Sequence, residues 1–159
     1  MALYLRPYLA EEFESACAIR ELSEEDAIAR FRISFNKSGE WNDHYLHLAI
    51  ADSISNMLIG DIQLRHCKQM MPPGTAHMGI EIAANQRGKG LGAEALRLLP
   101  AWADKNGFHR IEGSTDEPNV AMRRAFEKAG WQFEGILRNL FMVDGVGHDY
   151  YSFAWISQG

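Results

Sequence analysis

The stretch Ile82-Ala-Ala-Asn-Gln-Arg87-Gly88-Lys89-Gly90-Leu91-Gly92-Ala93 decides how this chain folds. It reads as the end of a strand, a tight turn rich in glycine and cation, and the start of a long helix. Glycines let the backbone approach an anion closely, and the first free N–H groups of the helix point at it. The helix dipole favours negative charge at that end. Arg87 and Lys89 add side-chain charge, so the expected ligand is a diphosphate. A plain strand-to-helix turn with glycine at its tight positions is the alternative, because short glycine motifs are common.

Spacing separates the known cradles. A P-loop needs Gly, four residues, then Gly-Lys-Ser/Thr, and here Lys89 is followed by Gly90. The dinucleotide fingerprint fits locally, as Gly88-x-Gly90-x-x-Ala93 with Glu112 roughly twenty residues beyond. A third pattern, Arg-x-x-Gly-x-Gly, is met by Arg87, Gly90 and Gly92.

The surrounding order of elements chooses among them. Residues ~3–7 alternate as a short strand, and helical patterns follow at ~10–21 and ~23–36. Ser23 stands as the expected N-cap of the second helix, with Asp26 three residues later as a loose capping box. His44 to Ala51 alternates as a strand, with Met57 to Cys67 as its hairpin partner. A turn at Met70–Gly74 leads to a strand at ~76–82. The helix after the glycine loop runs to about Asn106, and Pro100 inside it predicts a kink or break near Leu99. A strand at His109–Thr115, a helix at Asn119–Ala129 and two final strands complete the chain. This order describes an α/β (α+β) domain. A Rossmann domain opens on its glycine loop and repeats βαβ units after it, whereas here the loop follows an antiparallel meander and one βαβ unit follows. The dinucleotide reading therefore fails.

The chain of 159 residues is expected to form a single domain spanning 1–159, long enough for a sizeable core. No apolar run approaches the roughly 20 residues of a membrane span, and Met1–Pro7 lacks a signal-peptide pattern. Cys17 and Cys67 show no metal-ligand spacing and read as buried free thiols, which with the rest points to a cytoplasmic protein and no metal. The net charge of −5 argues against non-specific nucleic-acid binding and suits attraction of a cationic amine.

Further motifs extend the third loop pattern along the chain. Asn119 precedes a helix that closes on Phe126-Glu127-Lys128-Ala129-Gly130-Trp131, followed by Phe133-Glu134-Gly135, Leu137-Arg138, Asp144-Gly145 and Asp149-Tyr150-Tyr151. With Arg87, Gly90 and Gly92, this set resembles the GNAT superfamily of N-acetyltransferases over nearly the whole chain. The tail and the opening Leu5-Arg6-Pro7 are similar to its ribosomal-protein N-acetyltransferase (RimJ/RimL-like) subgroup.

The resemblance implies a mixed, mostly antiparallel central sheet flanked by helices, with two central strands splayed into a slot for acetyl-CoA. Arg87, Gly88, Lys89, Gly90, Leu91, Gly92 and Ala93 would hold the diphosphate. Pantetheine would pair with the free edge of Ile80–Ile82 as an added strand, and Asn119 would both cap its helix and reach that arm. A backbone N–H near Ile82 would meet the oxyanion. The reaction implied is direct transfer of acetyl to a primary amine, either a small amine or a peptide or protein N-terminus. A homodimer is also implied, through the terminal strands or the ~20–43 region.

The catalytic positions depart from the subgroup. Where its members commonly carry glutamate, two residues before Gly79, this chain has His77. Glu81 is the second candidate base, on the same face as His77 unless a bulge reverses the phase. Phe126 and Met122 stand where relatives carry hydroxyls, so both are expected to pack the core or line the acetyl pocket, and no acid is assigned. Substrate selection is expected from Ser38–Asp43, with Trp41 as a cation–π face, and from Val143–Asp149. Intact loop residues with missing hydroxyls also fit a non-catalytic acyl-CoA-binding module.

Overall fold

A computed structural model describes residues 1–159. Strand β1 (Leu3–Arg6) leads through a short 3-10 turn to helices α1 (Phe13–Ile19) and α2 (Glu25–Asn36). Strands β2 (Tyr45–Asp52), β3 (Leu58–Arg65) and β4 (Thr75–Ile82) form the expected meander. Helix α3 (Leu91–Lys105), strand β5 (Arg110–Asp116), helix α4 (Val120–Lys128) and the long hairpin β6 (Gln132–Val143) and β7 (Val146–Ile156) follow. The seven strands form one sheet in the order β1-β2-β3-β4-β5-β7-β6. Every pairing is antiparallel except β4 with β5.

Both faces of the sheet are covered near β2, so that strand is buried almost throughout. On one face, Leu46, Leu48, Ile50, Ile62, Leu64, Ala76 and Met78 meet α3 and Phe126 of α4 in the main core. On the other, Phe31 and Phe35 of α2 pack with Ala16, Tyr8 and Ala49. Helix α1 lies on β3 and α2 on β2. The same face of β5 and β7 carries half-exposed Glu112, Ser114, Asp116, Tyr150 and Ser152. One half of that face is thus a core and the other a polar surface.

The β4–β5 pair positions the site. It is hydrogen-bonded only over Thr75–His77 against Arg110–Glu112. Beyond that triplet the strands diverge, and the C-terminal half of β4 keeps β3 as its partner, over Met78–Ile82. Its other edge is free. Gly113 stands one residue past the paired triplet. A Cβ there would lie 2.7 Å from Met78 Sδ and 2.9 Å from Phe126 Cζ, so only glycine lets the core close at the apex of the wedge.

Several local expectations are corrected. Helix α2 is capped by Glu24, not Ser23, and no side chain makes the cap bond. Extended backbone at Glu24 already supplies the carbonyl for the first helical turn, 2.9 Å from Ile28 N. Pro100 does not break α3, which is continuous from Leu91 to Lys105. Proline removes the N–H that would meet the Leu96 carbonyl, and the indole Nε1–H of Trp131 donates to that oxygen at 3.4 Å. The freed acceptor is satisfied from outside the helix. Cys17 and Cys67 are unpaired but only half-buried.

Candidate active site

The glycine loop is built as an anion nest. After a 3-10 turn at Ala84–Gln86, Gly88 and Gly90 take left-handed φ values of 78° and 75°. Gly90 is the N-cap of α3 and its carbonyl accepts the first helical bond, from Glu94. The N–H groups of Leu91, Gly92 and Ala93 are therefore free of helical partners. Those of Gly88, Lys89 and Gly90 also find no backbone acceptor. Space above Gly88 and Gly90 is open, and a Cβ on either would touch nothing within 4 Å. Consecutive N–H groups without backbone partners at a helix N-terminus, beside open space, form an anion cradle.

This cradle opens into a cavity of about 560 Å³. It is lined on one side by Ile80, Glu81 and Ile82 of β4 and on the other by Asn119, Met122 and Ala125 of α4. Gly92 brings the two helices together, its Cβ position being 3.7 Å from Ala125. The Asn119 side chain caps α4 by accepting from Met122 N at 3.1 Å, and it also borders the cavity. Arg124 and Lys128 join Arg87 in the lining. The sequence reading did not single out Arg124 or Lys128, although their i, i+4 spacing on a helix beside the loop was the available signal.

The loop cations differ in direction. Arg87 Nε donates to the Ile82 carbonyl at 3.0 Å and Nη2 lies 3.7 Å from Glu21. Its guanidinium braces the end of β4 against the end of α1. Lys89 Nζ donates to Gln86 Oε1 at 3.0 Å.

The two candidate bases share a face, because the β3–β4 register runs without a bulge and sets Arg65 opposite His77 and Asp61 opposite Glu81. Their surroundings differ. His77 sits in the paired part of β4, and its Nδ1 is 2.8 Å from Arg65 Nη2. A guanidinium can only donate, so Nδ1 accepts and the ring's remaining proton is on Nε2. Burial first, and then Arg65, hold the imidazole below its ordinary value, with Glu112 opposing. His77 does not line the cavity, whereas Glu81 does. No hydrogen bond holds the Glu81 carboxylate. Desolvation raises it above the ordinary range, Asp61 and Glu21 add to that, and Arg20 and Arg87 oppose it.

Other acids on this face are occupied. Arg110 Nη2 donates to Glu112 at 2.7 Å, and Asp116 is 3.1 Å from His148 Nδ1. Asp149 accepts the backbone N–H of Asn139 at 2.8 Å, so this expected acceptor contact is engaged in shaping the hairpin. Trp41 packs against Phe108 with centroids 6.0 Å apart, at the end of the sheet where β5 begins and away from the glycine loop. Phe126 is core, stacked on Phe153 at 4.7 Å and 7°. Tyr151 lies under the Arg123 guanidinium, 4.5 Å from its ring centre.

Comparison with known proteins supplies the family. Residues 3–132 match the acetyltransferase (GNAT) domain. The chain belongs to this family. It is 33% identical over 113 residues to Probable N-acetyltransferase YjcK of Bacillus subtilis (strain 168), covering 68% of this chain and 60% of that protein. The match thus spans less than two thirds of that relative's length. Among solved structures, mutant forms of the spermidine/spermine N-acetyltransferase SpeG from Vibrio cholerae align with a TM-score of 0.78 at 19% identity, over 97% of this chain and 94% of theirs. An acetyltransferase (GNAT family) from Bacillus anthracis aligns with a TM-score of 0.78 at 18% identity, over 100% and 97%. These structures share the mixed sheet and its flanking helices.

Proposed function

We propose that this protein is an acetyl-CoA-dependent N-acetyltransferase acting on a primary amine. The observation that carries the reading is that the edge of β4 left by β5 and the glycine loop, with its unpaired N–H groups, line one cavity. A free strand edge and an anion cradle in one cavity fit an extended amide chain that ends in a diphosphate. Acetyl-CoA is such a molecule, and it supplies an activated acetyl thioester.

The chain's own groups then have defined tasks. Gly88 to Ala93 fix the diphosphate through backbone N–H groups, with Arg124 and Lys128 adding charge. The N–H and C=O of Ile80 and the N–H of Ile82 align the pantetheine amides, while Arg87 holds the Ile82 carbonyl, and Asn119 faces them from α4. Glu81, unpaired and raised, takes the proton from the incoming ammonium and leaves a nucleophilic amine. That amine forms the new C–N bond as the C–S bond breaks, and a backbone N–H of the β4 end near Ile82 meets the developing oxyanion. The leaving thiolate takes its proton from the departing ammonium or from water.

The unpaired Glu81 carboxylate beside the slot, on a face that no helix covers over β5 and β7, favours a cationic acceptor such as a polyamine or a peptide N-terminus. A homodimer is part of the same reading. The β6 edge and hairpin tip leave Ile136, Leu137, Leu140, Phe141, Met142, Val143 and Val146 exposed, an apolar surface on an unpaired strand.

The test is release of free thiol from acetyl-CoA with a panel of polyamines, short peptides, ribosomal-protein N-termini and aminoglycosides. Release above background with one class establishes the activity and the acceptor together. Thermal stabilisation by acetyl-CoA with no turnover on any amine would instead favour an acyl-CoA-binding module.

A further inference from the structure

Beneath Glu81 lies a buried polar cluster that the transfer chemistry does not use. Asp61, the cross-strand neighbour of Glu81, is fully buried in the middle of β3. Tyr8 donates its phenol hydrogen to Asp61 Oδ2, and Arg20 Nη1 donates to Oδ1 at 2.8 Å. His47, 6% exposed, places Nδ1 4.0 Å from Oδ2, and that nitrogen has no hydrogen-bond partner. Burial and Asp61 push the Tyr8 phenol far up, so it acts only as donor. Burial, helped by Arg20 and opposed by Asp61, holds His47 below its ordinary value and so favours its uncharged form. The only full countercharge to Asp61 in the cluster is therefore Arg20.

Packing alone gives little reason for a carboxylate here. A buried ion pair is often replaceable by apolar residues at no loss of stability. What the pair does is fix the end of α1. Arg20 is the C-cap residue of that helix, and Glu21 follows with a left-handed φ of 55°. The reversal sends Arg20 inward to Asp61 and Glu21 outward to Arg87, 3.7 Å away. The charges that bear on Glu81 are thus Asp61 from β3, Arg20 and Glu21 from the end of α1, and Arg87 from the glycine loop. The Arg20 guanidinium, 2.8 Å from Asp61 and 4.8 Å from the Phe31 ring centre, is thus held on the face that Glu81 shares, by the residue directly opposite Glu81 in the β3–β4 register.

We propose that Asp61 is a positioning residue: by engaging Arg20 together with Tyr8, it keeps the guanidinium off Glu81 and leaves that carboxylate free to accept the acceptor's proton. The inference rests on Glu81 being the base, as read above. It makes α1 part of the catalytic apparatus without placing any of its atoms on substrate.

The experiment is the pH dependence of kcat/KM for the amine, measured at saturating acetyl-CoA. Asp61→Asn removes a negative neighbour and frees Arg20, and both changes favour ionised Glu81. The acid-side inflection is expected to move down by about one pH unit, with a plateau lowered about tenfold and an unchanged KM for acetyl-CoA. Arg20→Gln, which leaves Asp61 its phenol partner, is expected to move the inflection up, while Arg20→Lys keeps it in place. A purely structural role for the cluster would lower rates without these opposite shifts. Because Asp61→Asn leaves a partly buried cation without its carboxylate and can fail to fold, the Arg20 pair gives a second, independent reading. If neither Asp61→Asn nor Arg20→Gln moves an inflection that Glu81→Gln abolishes, the positioning role is wrong and the base assignment stands. If Glu81→Gln itself leaves the inflection in place, the base assignment fails and this inference falls with it.

Discussion

Along β4, His77 and Glu81 stand four residues apart on the same face of the sheet, in environments of opposite character. The first half of the strand is paired on both edges, and there the imidazole is committed to Arg65. The second half has lost β5, and there the carboxylate has no hydrogen-bond partner and borders the cavity. The divergence of one strand pair thus opens a cavity and leaves a carboxylate unpaired beside it, and the proposed function rests on the two occurring together. A side chain of suitable chemistry in the paired half is consumed by the sheet, while one in the open half is left available.

The comparison breaks most directly on the two residues themselves. Glu81→Gln is expected to lower kcat/KM for the amine by about 10²-fold or more, the ordinary worth of a positioned base. His77→Gln should stay within about tenfold of wild type, since it removes only a hydrogen bond at the closed end. Steady-state kinetics at saturating acetyl-CoA decide it. The reverse ranking would show that the paired half of β4 carries the chemistry.

The apex between the halves can be tested by filling it. Gly113→Ala places a methyl group against Met78 and against Phe126, which is pinned by its stack on Phe153. Overpacking of this kind costs about 1–3 kcal/mol. Urea unfolding should register that loss, and isothermal titration should show weaker binding of acetyl-CoA as the wedge is forced. Stability and affinity both equal to wild type would mean that the apex is soft and does not define the slot.

Much of this arrangement was legible in the sequence where it depends on neighbours in the chain. The loop glycines, the Asn119 cap and the strand–helix order are short-range matters of φ, capping and periodicity, and they appear where expected. The reach of β4–β5 pairing was not legible, because it depends on which residues of strands 35 positions apart still meet (Thr75 with Arg110). Asp61 was missed for a similar reason: its partners Tyr8 and Arg20 are 53 and 41 residues away. The one local sign was an acid set between Gly60 and Ile62 in an apolar strand. The contact of Trp41 with Phe108 was not legible for the same reason, since the two rings are brought together from distant parts of the chain.

A smaller effect is expected on the wall opposite β4. Asn119→Ala removes the side-chain acceptor for Met122 N and should cost about 1 kcal/mol of stability. Asn119→Ser retains a capping oxygen and should recover most of that loss. If Asn119 also meets the pantetheine arm, both variants bind acetyl-CoA more weakly in titration calorimetry. Affinity that recovers along with stability in the serine variant would reduce Asn119 to a cap.

The finest test uses the opposite signs of the two β4 groups. Glu81 is raised in the folded protein, so its contribution to stability is full below the ordinary glutamate value near ~4.3 and is lost as pH rises through the folded value. Relative to wild type, Glu81→Gln should therefore gain stability as pH rises. His77 is lowered, so its contribution is present above the ordinary histidine value near ~6.5 and is lost as pH falls. Relative to wild type, His77→Gln should gain as pH falls. Thermal unfolding between about pH 4 and about pH 8 reads both slopes, and any constant offset from the lost Arg65 bond drops out. Slopes of the same sign would mean that the two halves of β4 share one electrostatic environment, and the contrast drawn from their pairing would not hold. Opposite slopes, with activity lost only in the Glu81 variant, would place the destabilised ionised carboxylate at the point where an unpaired strand edge makes it useful.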